Sequence, residues 1–178
     1  MRPLNHVAVV VRSIENFIKE NNISEDFIGD IDTFEAEGTR EVYIGEQASS
    51  AKLLLMQPIA PGPYKRALQT KGEGIHHIAL EVLDIADFLG NMEGSGWAVH
   101  VKSWNLYKNT KTIFLVRAKE KVLVEIMEVK KLSSGSPFIT ELGINFSEER
   151  LLESLKCNLL NKNYSNYINI SGKVIKWS

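Results

Sequence analysis

The sequence predicts an α+β fold of two tandem βαβββ units followed by a C-terminal helix-plus-hairpin extension. Three observations predict it. The first is an internal repeat. NHVAVVVRSIENFI (residues 5–18) lies over HHIALEVLDIADFL (76–89), so that His6 falls on His77, Ala8 on Ala79, Val11 on Val82, Ile14 on Ile85 and Phe17 on Phe88, at an offset of 71. Without a gap, the same offset lays EVYI (41–44) over TIFL (112–115) and LLLMQ (53–57) over VEIME (124–128). Three matches in one register indicate a duplicated unit. The second observation is that each half runs through the same order of strand and helix patterns. The third is that the tail after Lys131 lies outside the repeat and carries its own periodicities.

Each half opens on an apolar run, HVAVVV or HIALEV, of the kind that forms a strand buried on both faces. A helix follows, SIENFIKEN or DIADFLGNME, with Ser13 and Asp84 as N-caps in equivalent repeat positions. Shorter strands come next: IDTFEAE, REVYIG and KLLLMQ in the first half, WAVHVKSW, KTIFLV and KVLVEIMEV in the second. Gly38, Gly45, Gly94 and Gly96 supply the breaks. The linker PIAPGPYKRALQTKGEGI reads as prolines, a short helix and glycines.

These patterns divide the chain into a two-unit domain, residues 1–131, and an extension, 132–178. The domain holds unit one at 4–58, the linker at 59–73 and unit two at 74–131. In the extension, SSGSP is a loop. Residues 147–161, SEERLLESLKCNLLN, read as an amphipathic helix with Ser147 as N-cap and an acidic first turn. NYINI-SG-KVIKW reads as a hairpin on a two-residue turn. Two roles are open for the extension: covering the outer surface of the sheet, or making a homodimer contact.

With 178 residues and a formal net charge of −1, the chain shows no charge excess of the kind a nucleic-acid surface needs. Its one cysteine, Cys157, cannot form an internal disulfide and reads as a packed thiol. The apolar run in MRPLNHVAVVVRS is too short for a signal-peptide core or a membrane span, and no later segment reaches about 20 apolar residues. The expectation is a cytoplasmic protein with no membrane or nucleic-acid partner.

The repeat also picks out candidate ligands. His6 and His77 sit at the start of equivalent strands, and a pseudo-twofold axis can bring equivalent places to one point. On each strand the side chains alternate, so His6, Ala8 and Val10 share a face, as do His77, Ala79 and Glu81. Glu125 is a carboxylate inside the apolar run VLVEIME, where it needs a partner; its repeat mate is Leu54. Two histidines and one glutamate suit a single divalent ion: zinc, cobalt, manganese, nickel or iron. The residues alone also admit two satisfied core histidines and a glutamate paired with a cation. His76 has the opposite strand parity to His77 and is expected to point away. His100, in WAVHVK, reads as a surface or strand histidine.

The two units, with HVAVVV and GEGIHHIALEV as first strands, resemble the glyoxalase/bleomycin-resistance, or vicinal-oxygen-chelate, superfamily. GEGIHHIALEV, QPIAPGPYKRALQTKGEG and VLVEIME are similar to methylmalonyl-CoA epimerases, and the resemblance runs over residues 4–130. It implies that the units form a curved mixed sheet around a central cavity. Its four-ligand pattern falls on His6, Leu54, His77 and Glu125, of which Leu54 cannot bind a metal. Gln57 replaces Leu54 only if that strand bulges. The resemblance further implies Glu41 as a second carboxylate opposite Glu125, the two exchanging an α-proton beside a metal-polarised carbonyl of a small molecule such as an acyl-CoA. The loop NLYKNTKTIFLVRAKEK departs from the epimerase pattern. Two alternatives stand: a non-haem iron extradiol-type oxygenase with a two-His-one-Glu site, and a metal-free small-molecule binding or sequestering protein.

Overall fold

The computed structural model describes residues 1–177. The first unit contains β1 (Leu4–Val10), α1 (Ile14–Glu20), a 3₁₀ turn (Glu25–Phe27), β2 (Asp32–Phe34), β3 (Thr39–Ile44) and β4 (Lys52–Pro58). α2 (Pro63–Lys71) forms the linker. The second unit contains β5 (Gly74–Val82), α3 (Ile85–Gly90), β6 (Ala98–Val99), α4 (Ser103–Thr110), β7 (Thr112–Val116) and β8 (Leu123–Glu128).

These strands form one mixed sheet in the order β2-β3-β4-β1-β5-β8-β7-β6. The order is symmetric about the antiparallel β1–β5 pair. Within each half the first strand runs parallel to the last: Ala8 pairs with Leu54, and Ala79 with Glu125. The repeat offset is therefore also the register of the sheet. Helix entry repeats as well. Ser13 Oγ accepts from Asn16 N–H, and Asp84 Oδ1 accepts from Asp87 N–H. One step further, Ile14 N–H donates to Gln57 Oε1 and Ile85 N–H to Glu128 Oε2, each at 3.1 Å. Gln57 is thus committed to a helix terminus. The β1–β4 and β3–β4 ladders keep one register throughout, so no bulge turns Gln57 into the place of Leu54.

The halves part company near their third elements. WAVHVKSW yields only the two-residue β6, followed by α4. Ser103 turns the chain, its N–H and Oγ both donating to the His100 carbonyl, at 2.8 and 2.6 Å. This closed turn overrides the β-propensity of Trp97–Val101. At the repeat offset, α4 stands where β2 and its turn stand in the first half.

The extension is more than a helix and a hairpin. It contains β9 (Ile139–Ile144), α5 (Glu149–Leu155), β10 (Leu160–Lys162), β11 (Asn166–Ile170) and β12 (Lys173–Trp177). A second sheet runs β10-β9-β11-β12. The β11–β12 hairpin turns on Ser171 and Gly172, with φ of 50° and 89°. These are the values a two-residue hairpin turn requires. Gly143 is needed for packing: a Cβ there would lie 2.0 Å from the Tyr167 ring. The expected helix over 147–161 is shorter, because Ser147 is not its cap. The Ser147 hydroxyl and N–H both donate to Glu120, Glu148 takes the cap position without a side-chain bond, and the helix ends on left-handed Lys156.

One face of the large sheet, carrying Val7, Val9, Leu53, Leu55, Ile78, Leu80, Val124 and Ile126, is buried in a core that also contains Ile139, Leu142, Phe146, Leu151 and Leu155. Arg2 ties the extension to the start of the chain, donating to the Ser154 and Leu155 carbonyls at the end of α5 while lying 4.6 Å over Phe88. Cys157 is a free, buried thiol whose pKa burial raises. The opposite face carries Ala8, Val10, Leu54 and Met56, packed against Tyr64 and Leu68 of α2. Period-two alternation thus divides each strand between a core and a concave side. No helix among the described residues is long and apolar enough to cross a membrane.

Candidate metal centre

On the concave side, β1, β5 and β8 bring three expected residues together. His6 Nε2 and His77 Nε2 lie 3.3 Å apart, and Glu125 Oε2 lies 3.5 Å from the first and 3.3 Å from the second. Among the described residues they form the His/Cys/Asp/Glu cluster whose ligand atoms converge. Both histidines are buried, and Glu125 is nearly so.

The cluster passes two tests of fit to a divalent ion. Ligand bonds of about 2.0–2.1 Å in a tetrahedron separate ligand atoms by roughly 3.3–3.4 Å, which is the spacing of these three atoms. Protonation states agree as well. Burial is the main force lowering the His6 pKa, with the neighbouring His77 adding to it and Glu125 opposing, a balance that favours the neutral ring. Burial pushes Glu125 upward, but its close contacts with the His6 and His77 imidazoles outweigh it and hold the carboxyl below its usual range. A neutral imidazole and an ionised carboxylate are the forms that bind metal.

An aromatic ring flanks each histidine in the same way. Tyr43 meets His6 edge-on at 5.6 Å and 87°, and Phe114 meets His77 at 5.6 Å and 87°. Tyr43 and Phe114 are repeat mates, each paired across its ladder with position 54 or 125. Around the cluster lies a cavity of about 510 Å³, lined also by Glu35, Glu37, Glu41, Leu54, Met56, Tyr64, Thr112 and Met127. Glu41 is therefore in the same cavity, on β3 of the other half. Its Oε1 accepts from Thr39 Oγ at 2.6 Å. Burial raises its pKa, and the charges of Glu37 and Glu125 add to that against the Thr39 bond. Burial, followed by the charges of Glu125 and Glu41, pushes Tyr43 up to about 12.

His76 lies outside the ligand cluster, yet it does not simply point away. Its Nδ1 is 3.0 Å from Nδ1 of His77, and its ring packs on Tyr64 at 4.9 Å. Burial, then the charges of His77 and Lys71, bring its pKa down to about 3. Strand parity places a side chain on a face but does not fix where its ring turns. His100 is exposed on the rim of α4. The sequence reading missed Tyr43 and Phe114, although both lie inside the matched EVYI and TIFL segments.

Comparison with solved structures returns the same fold. A hypothetical protein of Bacillus halodurans C-125 aligns at 20% identity and a TM-score of 0.56, covering 75% of this chain and 99% of that one. A variant of Streptomyces coelicolor methylmalonyl-CoA epimerase in complex with 2-nitronate-propionyl-CoA aligns at 19% identity and a TM-score of 0.54, covering 70% and 94%. Methylmalonyl-CoA epimerase from Mycobacterium tuberculosis aligns at 20% identity and 0.53, covering 70% and 86%. No curated protein matches the sequence. The family described as the glyoxalase/bleomycin resistance protein/dioxygenase superfamily matches residues 5–114, which with the shared fold leads to one conclusion: the chain belongs to that superfamily.

Proposed function

We propose that the protein is a divalent-metal-dependent enzyme that acts beside a carbonyl, taking an α-proton and returning it as an epimerase does. One observation carries this reading: the His6–His77–Glu125 cluster shares its cavity with Glu41, a carboxylate from the other half whose base strength burial raises. His6, His77 and Glu125 would hold the ion, which when bound supplies Lewis-acid polarisation of a carbonyl oxygen. Glu41 takes the α-proton, oriented by the Thr39 hydroxyl. Glu125 meets both imidazoles through Oε2, and in this reading its Oε1 passes a proton on the opposite face of the substrate.

The charge of the lining bears on the substrate class. Glu35, Glu37, Glu41 and Glu125 line the cavity, and among the described lining residues there is no lysine or arginine. Apart from the ion itself, no described lining side chain offers a fixed positive charge, so an uncharged reacting end suits this lining best. An adjoining groove shares the Ala60–Pro61–Gly62 wall and adds Lys65 and Arg66. That pair is placed to meet an anionic carrier, so an acyl-CoA with a neutral acyl group suits the two compartments together.

A second reading, a non-haem iron oxygenase, draws on Leu54, which leaves coordination positions open, and on Tyr43 and Tyr64 in the lining. Metal analysis of the purified protein separates the readings. About one divalent ion per chain is expected, lost in His77→Ala, with exchange of the propionyl-CoA α-hydrogen for deuterium that depends on the ion. Bound iron with oxygen uptake on a catechol would replace the first reading by the second. A wild type that stays metal-free in the presence of all five candidate ions would overturn both and leave a small-molecule binding protein.

A further inference from the structure

Each ligand histidine is preceded by a residue that contacts its Nδ1. Asn5 Oδ1 lies 2.9 Å from Nδ1 of His6, and His76 Nδ1 lies 3.0 Å from Nδ1 of His77. Asn5 and His76 are repeat mates, so two different side chains meet the two histidines at one place in the unit. The partner of Nδ1 decides which ring nitrogen carries the proton, and hence whether Nε2 can offer a lone pair.

For His6 the support runs further. Asn5 Nδ2 donates to Glu81 Oε1 at 2.6 Å, and Glu81 also accepts from Ser133 Oγ at 2.6 Å and from Ser133 N–H at 2.7 Å. Glu81 is buried, at 2% exposure. A carboxylate only accepts. It therefore fixes the Asn5 amide with Nδ2 toward Glu81 and Oδ1 toward His6. Oδ1 can only accept, so Nδ1 of His6 must carry the proton and Nε2 the lone pair. A β-bulge makes this reach possible. Leu4 pairs with Leu80 while His6 pairs with Ala79, so Asn5 is the extra residue between them.

We propose that Asn5 is a positioning residue that sets the tautomer of His6, and that Glu81 and Ser133 anchor it. Ser133 lies beyond the residues matched by the family. The C-terminal extension thus takes part in preparing a metal ligand, through four residues in series: Ser133, Glu81, Asn5 and His6. The affinity part of this inference rests on the metal reading above, whereas the tautomer part is read in the metal-free protein, where the 2.9 Å contact of Nδ1 with Asn5 Oδ1 outweighs the longer 3.5 Å contact of Nε2 with Glu125 Oε2.

Glu81→Gln is the decisive variant. The backbone N–H of Ser133 is a fixed donor, so the glutamine oxygen turns toward it and the glutamine nitrogen toward Asn5 and Ser133 Oγ. Asn5 then flips, presents Nδ2 to His6 and moves the proton to Nε2. Every hydrogen bond is kept while the direction of the chain reverses. Nitrogen-15 spectra of the histidine rings in the metal-free protein read this directly. The expected result is Nδ1–H on His6 in wild type and Nε2–H in the variant, with cobalt(II) affinity falling about 10- to 100-fold. A His6 tautomer that is the same in both proteins overturns the proposal, whatever the metal result. If Glu81→Gln fails to fold, Asn5→Ala decides: His6 then shows mixed tautomers and weaker cobalt(II) binding, and an unchanged Nδ1–H signal refutes the relay. If wild type binds no cobalt(II) but the tautomers switch as stated, the relay holds and the metal reading fails.

Discussion

The two halves share one frame and fill it differently. In the frame they agree to the atom. Tyr43 and Phe114 meet their histidines at the same distance and angle, Gln57 and Glu128 accept the same helix N–H, and Ala8–Leu54 and Ala79–Glu125 hold the same place in their ladders. In the acidic residues they are complementary. The first half has a glutamate at position 41 and leucine at 54; the second has threonine at 112 and a glutamate at 125, and all four line the cavity. Duplication therefore supplies two equivalent third-strand places and two equivalent last-strand places, and each half puts a carboxylate in only one kind. On the proposed reading, this gives one carboxylate that holds the ion, Glu125, and one that stays outside the ligand set, Glu41. A symmetric filling with four ligands would have closed positions that this arrangement leaves open.

The largest effect expected from breaking this asymmetry is at Glu41. Glu41→Gln removes the base and none of the proposed ligands. Metal affinity should stay within about twofold, while α-proton exchange falls about 10²- to 10⁴-fold. The pH dependence carries the same signature. Because burial raises the Glu41 pKa, activity should be lost on acidification at a higher pH than an ordinary glutamate would give, as the base protonates. The sign for stability is opposite. A carboxyl with a raised folded pKa costs nothing below its unfolded pKa and penalises the folded state as pH rises through the folded value. Glu41→Gln should therefore melt no lower than wild type at neutral pH. A marked drop in metal affinity would assign Glu41 to the ligand set instead.

Leu54 tests the comparison from the other side. Leu54→Gln places an oxygen at the repeat mate of Glu125 and restores the missing ligand. Divalent-ion affinity should rise about tenfold, while the loss of a buried leucine, 4% exposed, lowers stability by roughly 1–3 kcal/mol. Calorimetric titration and thermal melts read the two changes separately. Unchanged affinity would mean that the β4 place does not face the ion.

The features that the repeat encodes were legible in the sequence, and those set by contacts outside it were not. The offset of 71 pairs the two helix caps and the two histidines, because each depends on a position within the unit, and Glu125 stands out as a carboxylate inside an apolar run. Helix α4 escaped because a turn at Ser103 defeats a run of strand-forming residues. β9 and β10 escaped because a short strand such as LNK becomes one only when a second sheet offers it an edge. The Asn5–Glu81–Ser133 chain was hidden twice over: it joins residues far apart in sequence, and it passes through a bulge that breaks the alternation used to assign faces. His76 shows the limit of parity from within the repeat: alternation predicts that it points away from His77, yet its ring turns into contact with the His77 ring.

The smallest expected effect is also the cleanest test of equivalence. Gln57 and Glu128 each satisfy the N–H of the first helical residue in their half, Ile14 and Ile85, at the same distance. Both N–H groups belong to the orphan donors of a helix start, and both helices begin on a buried isoleucine. Removing the acceptor leaves a partly buried donor without its partner, at about 1 kcal/mol. Gln57→Ala and Glu128→Ala should therefore cost nearly the same in denaturant unfolding. Salt separates them: Glu128 also lies 3.6 Å from the half-exposed Lys111, a contact that contributes little and is screened. Any excess cost at Glu128 should fade as ionic strength rises, leaving the two halves equal. A difference that persists at high salt would show that the frame itself, and not only its filling, has diverged since the duplication.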